Sequence, residues 1–354
     1  MSASSAPDGL RVAIATPQYP EDLEHLQALE PRLELLHDPS LLAEPGVDAA
    51  GVGAGHITRT PEQQAAYEQL LDSADALFGV PDQSGRALAR AVRANPSLRW
   101  VHTIPAGGGQ QVRAARLDEA ELARVVFTTS AGVHAEPLAE FAALGVLAGA
   151  KDLTWMRDEQ AARRWGGPHL VRMVAGSTAV VIGLGSIGRA VSAKLAALGI
   201  RVVGVHRRPV EVDGVDRVVL LDAVGDAVAE ADAVIVALPG TDLTKGMIDA
   251  AVFDRFRPGT TFVNVGRGTT VDEEALLAAM RDGRVGTAVL DVTAKEPLPD
   301  DSPLWDEPGL ILSPHTVART SSEPRLIVEL FAENARRLLD GEPLRNVVDT
   351  VEFY

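Results

Sequence analysis

Three side chains in the C-terminal half have the chemistry that hydride transfer to a carbonyl would need. Arg267 sits in a Gly-Arg-Gly turn, Glu296 precedes Pro297, and His315 follows Ser313-Pro314. A histidine suits the proton step because its ordinary pKa lies near neutrality. An arginine suits a bidentate hold on a carboxylate. A carboxylate beside the histidine would fix its tautomer and favour its cationic form. Each residue also has a plainer use: a structural histidine, an arginine capping a strand, a solvated loop glutamate. Helices and loops separate the three, so spacing alone does not make them a triad.

A hydride needs a carrier, and the stretch Thr178 to Arg208 is built to hold one. An apolar β-branched run, Ala179 to Ile182, leads into Gly183, Gly185 and Gly188 in the order G-x-G-x-x-G. A helical pattern starting at Ser186 and Ile187 runs to Leu198, Gly199 stops it, and a second strand follows from Arg201 to Val205. Strand, glycine turn, helix and strand within about 30 residues is the context of a dinucleotide site. The first glycine permits the turn, the second lets backbone approach a pyrophosphate, and the third lets helix pack on strand. The pyrophosphate would meet free N–H groups at the helix start. The alternative is an ordinary strand-to-helix turn. NAD sites usually place an acid where the second strand ends. Here that place holds His206, Arg207 and Arg208. Guanidiniums pair with a 2′-phosphate where an acid would repel it, so NADP(H) is expected over NAD(H). A solvated basic turn is the other reading.

The elements that must position these residues alternate along the chain. Strands are expected at Leu10–Ala15, Leu33–Leu36, Ala76–Val80, Trp100–Ile104 and Arg124–Thr128. A second set follows at Val218–Leu221, Ala233–Leu238, Thr260–Val265, Thr287–Leu290 and Leu310–Leu312. Helices lie between, one of them from Pro61 to Leu71 with Thr60 as its N-cap. Such alternation predicts parallel sheets covered on both faces. Ligands of open α/β sheets bind at the carboxyl ends of strands. That singles out the glycine turn, His206 to Arg208, Pro239, Arg267, Asp291 and His315. Gly107 and Gly108, with Gly109, form a glycine loop after another strand. Their N–H groups would make a seat for a substrate carboxylate, or the loop is only a flexible turn. Glu136 to Trp165 reads as one long helical stretch whose Trp155 and Trp165 suit a subunit interface or packing within one subunit.

Composition sets the outer limits. The 354 residues suggest two domains. A net charge of −16 argues against nucleic-acid or anionic-membrane partners. The chain has no cysteine, which rules out disulfides, thiolate metal sites and thiol nucleophiles. No metal site is expected, and neither H-E-x-x-H nor G-x-S-x-G occurs. The N-terminus lacks the basic and apolar regions of a signal peptide, so a cytoplasmic location is expected.

With these motifs assembled, the chain resembles the D-isomer-specific 2-hydroxyacid dehydrogenase family, which includes glyoxylate/hydroxypyruvate reductases and phosphoglycerate dehydrogenases. The stretches that carry the likeness run from about Leu98 to Val348. They are TTSAGVHAEPLAEFAALGVLA, VIGLGSIGRAVSAKLAALG, ALPGTDLTKGMID, FVNVGRGTTVDEEALLAAM, LDVTAKEPLPDDSPLWDEPGLILSPHTV and FAENARRLLDGEPLRNVVD. The resemblance implies roles position by position. Arg267 orients the substrate, Glu296 supports His315, and His315 is the acid/base. Leu238, Pro239, Val265 and Asp291 join the glycine turn in holding the cofactor, with Asp291 near the nicotinamide carboxamide. It also implies an α/β fold of two doubly wound parallel-sheet domains. A Rossmann nucleotide-binding domain, 131–316, is inserted into a flavodoxin-like substrate domain, 1–130 and 317–354. A small 2-oxoacid or 2-hydroxyacid substrate and a homodimer are further implications. This chain departs from the family at His206, where an aspartate is common, at TVART after SPH, and at the triple-glycine loop. A dinucleotide-sensing, corepressor-like binding protein of the same fold is the competing expectation.

Overall fold

The computed structural model describes residues 9–45, 47–48, 51–52, 57–351 and 353. The chain divides into two compact units, 1–133 with 321–354 and 134–320. In the first unit β1 (Leu10–Ile14), β2 (Leu33–Leu36), β3 (Ala76–Phe78), β4 (Trp100–Thr103) and β5 (Val126–Thr129) form a parallel sheet. Its order is β2-β1-β3-β4-β5, the flavodoxin-like doubly wound arrangement. Helix Pro61–Asp72 starts as its sequence predicts. The Thr60 hydroxyl accepts from the Gln63 N–H, the Gln63 side chain accepts from the Thr60 N–H, and Pro61 is the first helical residue. This capping box satisfies N–H groups that a helix start leaves orphaned. The C-terminal helix Glu323–Leu339 belongs to this unit and lays Phe331 against Phe78 and Trp100, with ring centroids 4.4 Å apart in each pair.

The second unit holds β6 (Thr178–Ile182), β7 (Arg201–His206), β8 (Arg217–Leu220), β9 (Ala233–Val236), β10 (Thr260–Asn264), β11 (Val285–Leu290) and β12 (Leu310–Leu312). All pair in parallel, in the order β8-β7-β6-β9-β10-β11-β12. That is the Rossmann order with one strand added beyond β11. Successive strand residues feed two cores. Val180, Ile182, Val234 and Val236 pack with Phe253 and Leu276. Ala179, Val181, Ile235 and Val263 pack with Leu138, Val146, Val191 and Leu195. Apolar side chains on both faces are what unbroken β-branched runs are for, and each buried Val or Ile contributes about 1.5–3 kcal/mol.

The expected single helical stretch from Glu136 to Trp165 is two helices, Ala135–Ala150 and Leu153–Ala161. Asp152 breaks it. Its backbone is left-handed, with φ 52°, and its carboxylate accepts from the Trp155 N–H at 3.2 Å, capping the second helix. Among the described residues no helix is long and apolar enough to cross a membrane.

Candidate active site

β6 delivers the chain into the glycine turn, where Gly183 has φ +98°. Gly188 leaves no room for a side chain: a Cβ there would lie 1.8 Å from the Gly183 carbonyl oxygen. That contact seats helix Ser186–Ala197 on the turn. Around Gly185 the situation is reversed. A Cβ at Gly185 would meet nothing within 4 Å, and no side chain caps the helix there. The N–H groups of its first turn and the positive end of its dipole are therefore left for an anion. A dinucleotide pyrophosphate fits this cradle. Ser186 is exposed beside it and Ile187 half-buried. At the end of β7, His206 Nδ1 accepts from the Arg208 N–H at 3.2 Å, which folds the basic turn back on itself. Arg207 and Arg208 are exposed.

On the other side of the sheet, loops after β11 and β12 bring an acid and a histidine together. Glu296 Oε2 and His315 Nδ1 are 2.7 Å apart. Glu296 Oε1 accepts from the Thr293 N–H at 3.1 Å, so the carboxylate is held at both oxygens. The two side chains are 38% and 44% exposed, enough to meet a small molecule and exchange protons. With Nδ1 engaged, Nε2 is the nitrogen left to act. His315 itself has φ +55°, a conformation the loop must enforce. Asp291, buried at 1% exposure, does so. Its Oδ1 accepts from the Ser313 hydroxyl at 2.8 Å, the Thr316 N–H at 3.1 Å and the Val317 N–H at 3.2 Å.

Arg267 lies on the turn after β10. A Cβ on Gly268 would sit 1.9 Å from the Thr293 carbonyl carbon. The arginine's turn is thus pressed against the residue whose N–H fixes Glu296. On its other flank, a Cβ on Gly240 would be 3.2 Å from Arg267 Cγ. Pro239 is exposed next to this contact, and Leu238 and Val265 are buried beneath it. The exposed guanidinium donates one N–H to the Gly266 carbonyl at 2.8 Å. Strand ends β9, β10 and β11 therefore touch in sequence, and β12 joins through the His315–Glu296 bond. The basic turn is at the opposite end of the strand order.

Gly107 and Gly108 lie in the first unit, after β4. The expected open glycine loop is instead the lead-in to a short helix, Gly109–Ala114. The Gly108 N–H donates to the Pro105 carbonyl at 3.0 Å, so it is not available to an anion. A Cβ at Gly108 would meet Thr103 Oγ1 at 1.7 Å; that glycine serves packing. Asn264 is a buried polar residue that the strand pattern concealed. It occupies the last position of β10, and its side chain bonds the Arg267 turn. Among the described residues no group of three or more His, Asp or Glu could hold a metal ion.

A sheet of Rossmann order with a phosphate cradle and a paired histidine defines a dinucleotide-dependent oxidoreductase class. Residues 144–317 match the family described as D-isomer specific 2-hydroxyacid dehydrogenase, NAD binding domain. Glyoxylate/hydroxypyruvate reductase B of Salmonella newport (strain SL254) is 30% identical over 295 residues, 82% of this chain and 89% of that one. The match to D-3-phosphoglycerate dehydrogenase of Mycobacterium leprae, 36% identical over 176 residues, spans only 33% of that protein. A Corynebacterium melassecola protein is spanned over 58% of its length. A crystal structure of a D-isomer specific 2-hydroxyacid dehydrogenase from Xanthobacter autotrophicus Py2, in complex with NADPH and MES, aligns with TM-score 0.75 and 30% identity. The alignment covers 98% of this chain and all of that one. The chain belongs to the D-isomer specific 2-hydroxyacid dehydrogenase family, whose members are NAD(P)-dependent oxidoreductases.

Proposed function

We propose that this chain reduces a small 2-oxoacid to the D-2-hydroxyacid, or runs the reverse, preferring NADP(H) to NAD(H). The observation that carries this is the 2.7 Å His315–Glu296 pair beside the Arg267 turn. Gly183, Gly185, Ser186, Ile187 and Gly188 would hold the pyrophosphate. Leu238, Pro239, Val265 and Asp291 would line the nicotinamide end. When bound, the nicotinamide supplies the hydride to the carbonyl carbon. Arg267 pairs with the substrate carboxylate and carbonyl oxygen. His315 enters protonated and gives its Nε2 proton to the carbonyl oxygen as that oxygen gains electron density. Glu296 stabilises the imidazolium through Nδ1–H and keeps Nε2 turned to the substrate. A panel of 2-oxoacids, glyoxylate and hydroxypyruvate first, assayed with NADPH and NADH, tests the reading. Cofactor binding without turnover of any member would instead favour a sensing role.

The basic turn supports the cofactor preference, as does the NADPH bound to the Xanthobacter relative. One charge-assisted hydrogen bond from a guanidinium to a 2′-phosphate contributes about 1.5–3 kcal/mol, roughly tenfold to a hundredfold in affinity. NADPH is expected to exceed NADH by at least about tenfold in kcat/KM. Arg207→Ala is expected to erase most of that margin by weakening NADPH, and His206→Asp to favour NADH further. Equal efficiency of the two cofactors at low salt in the unmodified enzyme would return the arginines to a solvated turn.

The same reading takes the protein as a homodimer. Trp165 and Leu170 stand fully in solvent on the segment after helix Leu153–Ala161, whereas Trp155 stacks on His169 at 4.0 Å within the chain. Trp165 is the tryptophan of this stretch that we take a partner subunit to cover, with Trp155 behind it. Light scattering at micromolar concentration is expected to give twice the chain mass, and Trp165→Ser to shift the equilibrium toward one chain. A monomer in the unmodified protein would refute the assignment.

A further inference from the structure

We infer that Asn264 is a positioning residue for Arg267, and this rests on the reading of Arg267 as the substrate-holding group. Asn264 breaks a local rule. It occupies the middle of a parallel sheet with Val236 and Leu290 as its register partners on either side. Every other position of β10 is buried, and Asn264 is itself 1% exposed. Asparagine is disfavoured in strands, and an amide buried there without partners costs free energy. Rule-breaking of this kind is expected where function is served.

The amide is spent entirely on the turn that carries Arg267. Asn264 Oδ1 accepts from the Gly266 N–H at 3.0 Å, and Nδ2 donates to the Arg267 carbonyl at 3.2 Å. The two bonds grip the turn on both sides of the peptide that joins Gly266 to Arg267. The Arg267 carbonyl also accepts from the Thr270 hydroxyl at 2.6 Å and the Thr270 N–H at 3.1 Å, so the bond from Asn264 Oδ1 to the Gly266 N–H is the one that nothing else duplicates. The grip has little slack. A Cβ on Gly266 would be 2.5 Å from the Leu238 carbonyl oxygen, and one on Gly268 would strike the Thr293 backbone. The turn is wedged between neighbouring strand ends, and the amide decides where along that wedge the arginine leaves the backbone. Removing it would leave the Gly266 N–H unpaired and let Arg267 drift from the His315–Glu296 pair. A displacement of about 1 Å at a positioning group can cost on the order of a hundredfold in rate.

The test is a double-mutant cycle on the full chain with Asn264→Ala, Arg267→Lys and the pair. Asn264→Asp serves as a near-isosteric control that keeps the acceptor but loses the donor. Asn264→Ala is expected to lower kcat/KM for the best 2-oxoacid by about tenfold to a hundredfold. NADPH affinity is expected to stay within about twofold, because the glycine turn is untouched. Binding of oxamate, an unreactive 2-oxoacid analogue, to the NADPH complex is expected to weaken in parallel. In the Arg267→Lys background Asn264→Ala is expected to add less than about threefold, since two residues serving one contact are non-additive. Asn264→Asp is expected to be no better than Asn264→Ala. Fully multiplicative losses, NADPH affinity falling as far as kcat/KM, or near-normal activity in Asn264→Asp would each overturn the inference. Should Asn264→Ala not fold, Asn264→Ser with the same readouts replaces it in the cycle. If Arg267→Lys alone leaves oxamate binding and turnover intact, the role of Arg267 itself fails, a separate result from failure of Asn264.

Discussion

His315→Ala is expected to lower turnover of the best 2-oxoacid by about 10²–10⁴-fold, the range that a positioned general acid supplies. The geometry says more than the magnitude. Nδ1 is committed to Glu296 at 2.7 Å, so the proton in play is the one on Nε2. His315→Gln restores a neutral donor but no transferable proton, and is expected to be nearly as slow as the alanine variant. Glu296→Gln keeps a hydrogen-bonding partner near Nδ1 while removing the carboxylate, and is expected to lower turnover by less than His315→Ala. NADPH binding should be nearly unchanged in all three variants, since none touches the glycine turn. A His315→Ala enzyme with near-normal turnover at neutral pH would remove this histidine from the proton step. A Glu296→Gln enzyme as active as the unmodified one would reduce Glu296 to a packing role.

Much of this was readable in the sequence wherever a local rule has only one solution. The unbroken β-branched runs became strands covered on two faces. The Gly183-x-Gly185-x-x-Gly188 spacing became a turn with φ +98° at its head and no room at its end. Where contacts between distant residues decide, spacing was silent, and only the family resemblance joined Glu296 to His315. Glu296 and His315 are 19 positions apart and meet only because β11 and β12 pair. Asn264 looked like one more strand residue; its one signal was a lone amide between Val263 and Val265 in an otherwise apolar and β-branched run. Asp152 was hidden inside an apparently continuous helical period, since left-handed backbone at a non-glycine residue leaves no mark on periodicity. The three glycines at 107–109 looked like an open loop because nothing in the sequence shows that Thr103 fills the space at Gly108. The misreadings at Asp152 and at the glycine loop share one cause: side-chain bonds and close approaches outvote local pattern.

A buried histidine outside the site sets the second large expectation, a steep loss of stability in mild acid. His102, in β4, has no exposed surface. Its register partner is Thr128 on β5. Nδ1 lies 2.9 Å from Thr128 Oγ1, and Nε2 lies 3.1 Å from Ser130 Oγ. The Ser130 hydroxyl donates to the Thr103 carbonyl, so Nε2–H must donate to Ser130. Nδ1 is then the acceptor for the Thr128 hydroxyl, whose oxygen also takes the Trp100 Nε1–H at 2.8 Å. This arrangement serves a neutral ring only. Burial pushes the imidazole down from 6.5 to about 3. The unfolded chain therefore binds a proton between those values that the folded chain refuses. The contribution is fully present above pH 6.5 and is lost progressively as pH falls toward 3, at about 1.4 kcal/mol per pH unit. From pH 6.5 to 4.5 His102 alone is expected to remove about 2–3 kcal/mol. His102→Gln keeps a donor toward Ser130 and has no charge to acquire. Urea unfolding of both proteins at half-unit steps between pH 7 and 4.5 measures the difference. The variant is expected to start less stable at pH 7, from imperfect packing beside Phe331 and Trp100, and to lose stability more slowly on acidification. Parallel slopes for the two proteins across that window would mean that His102 does not carry the proton linkage.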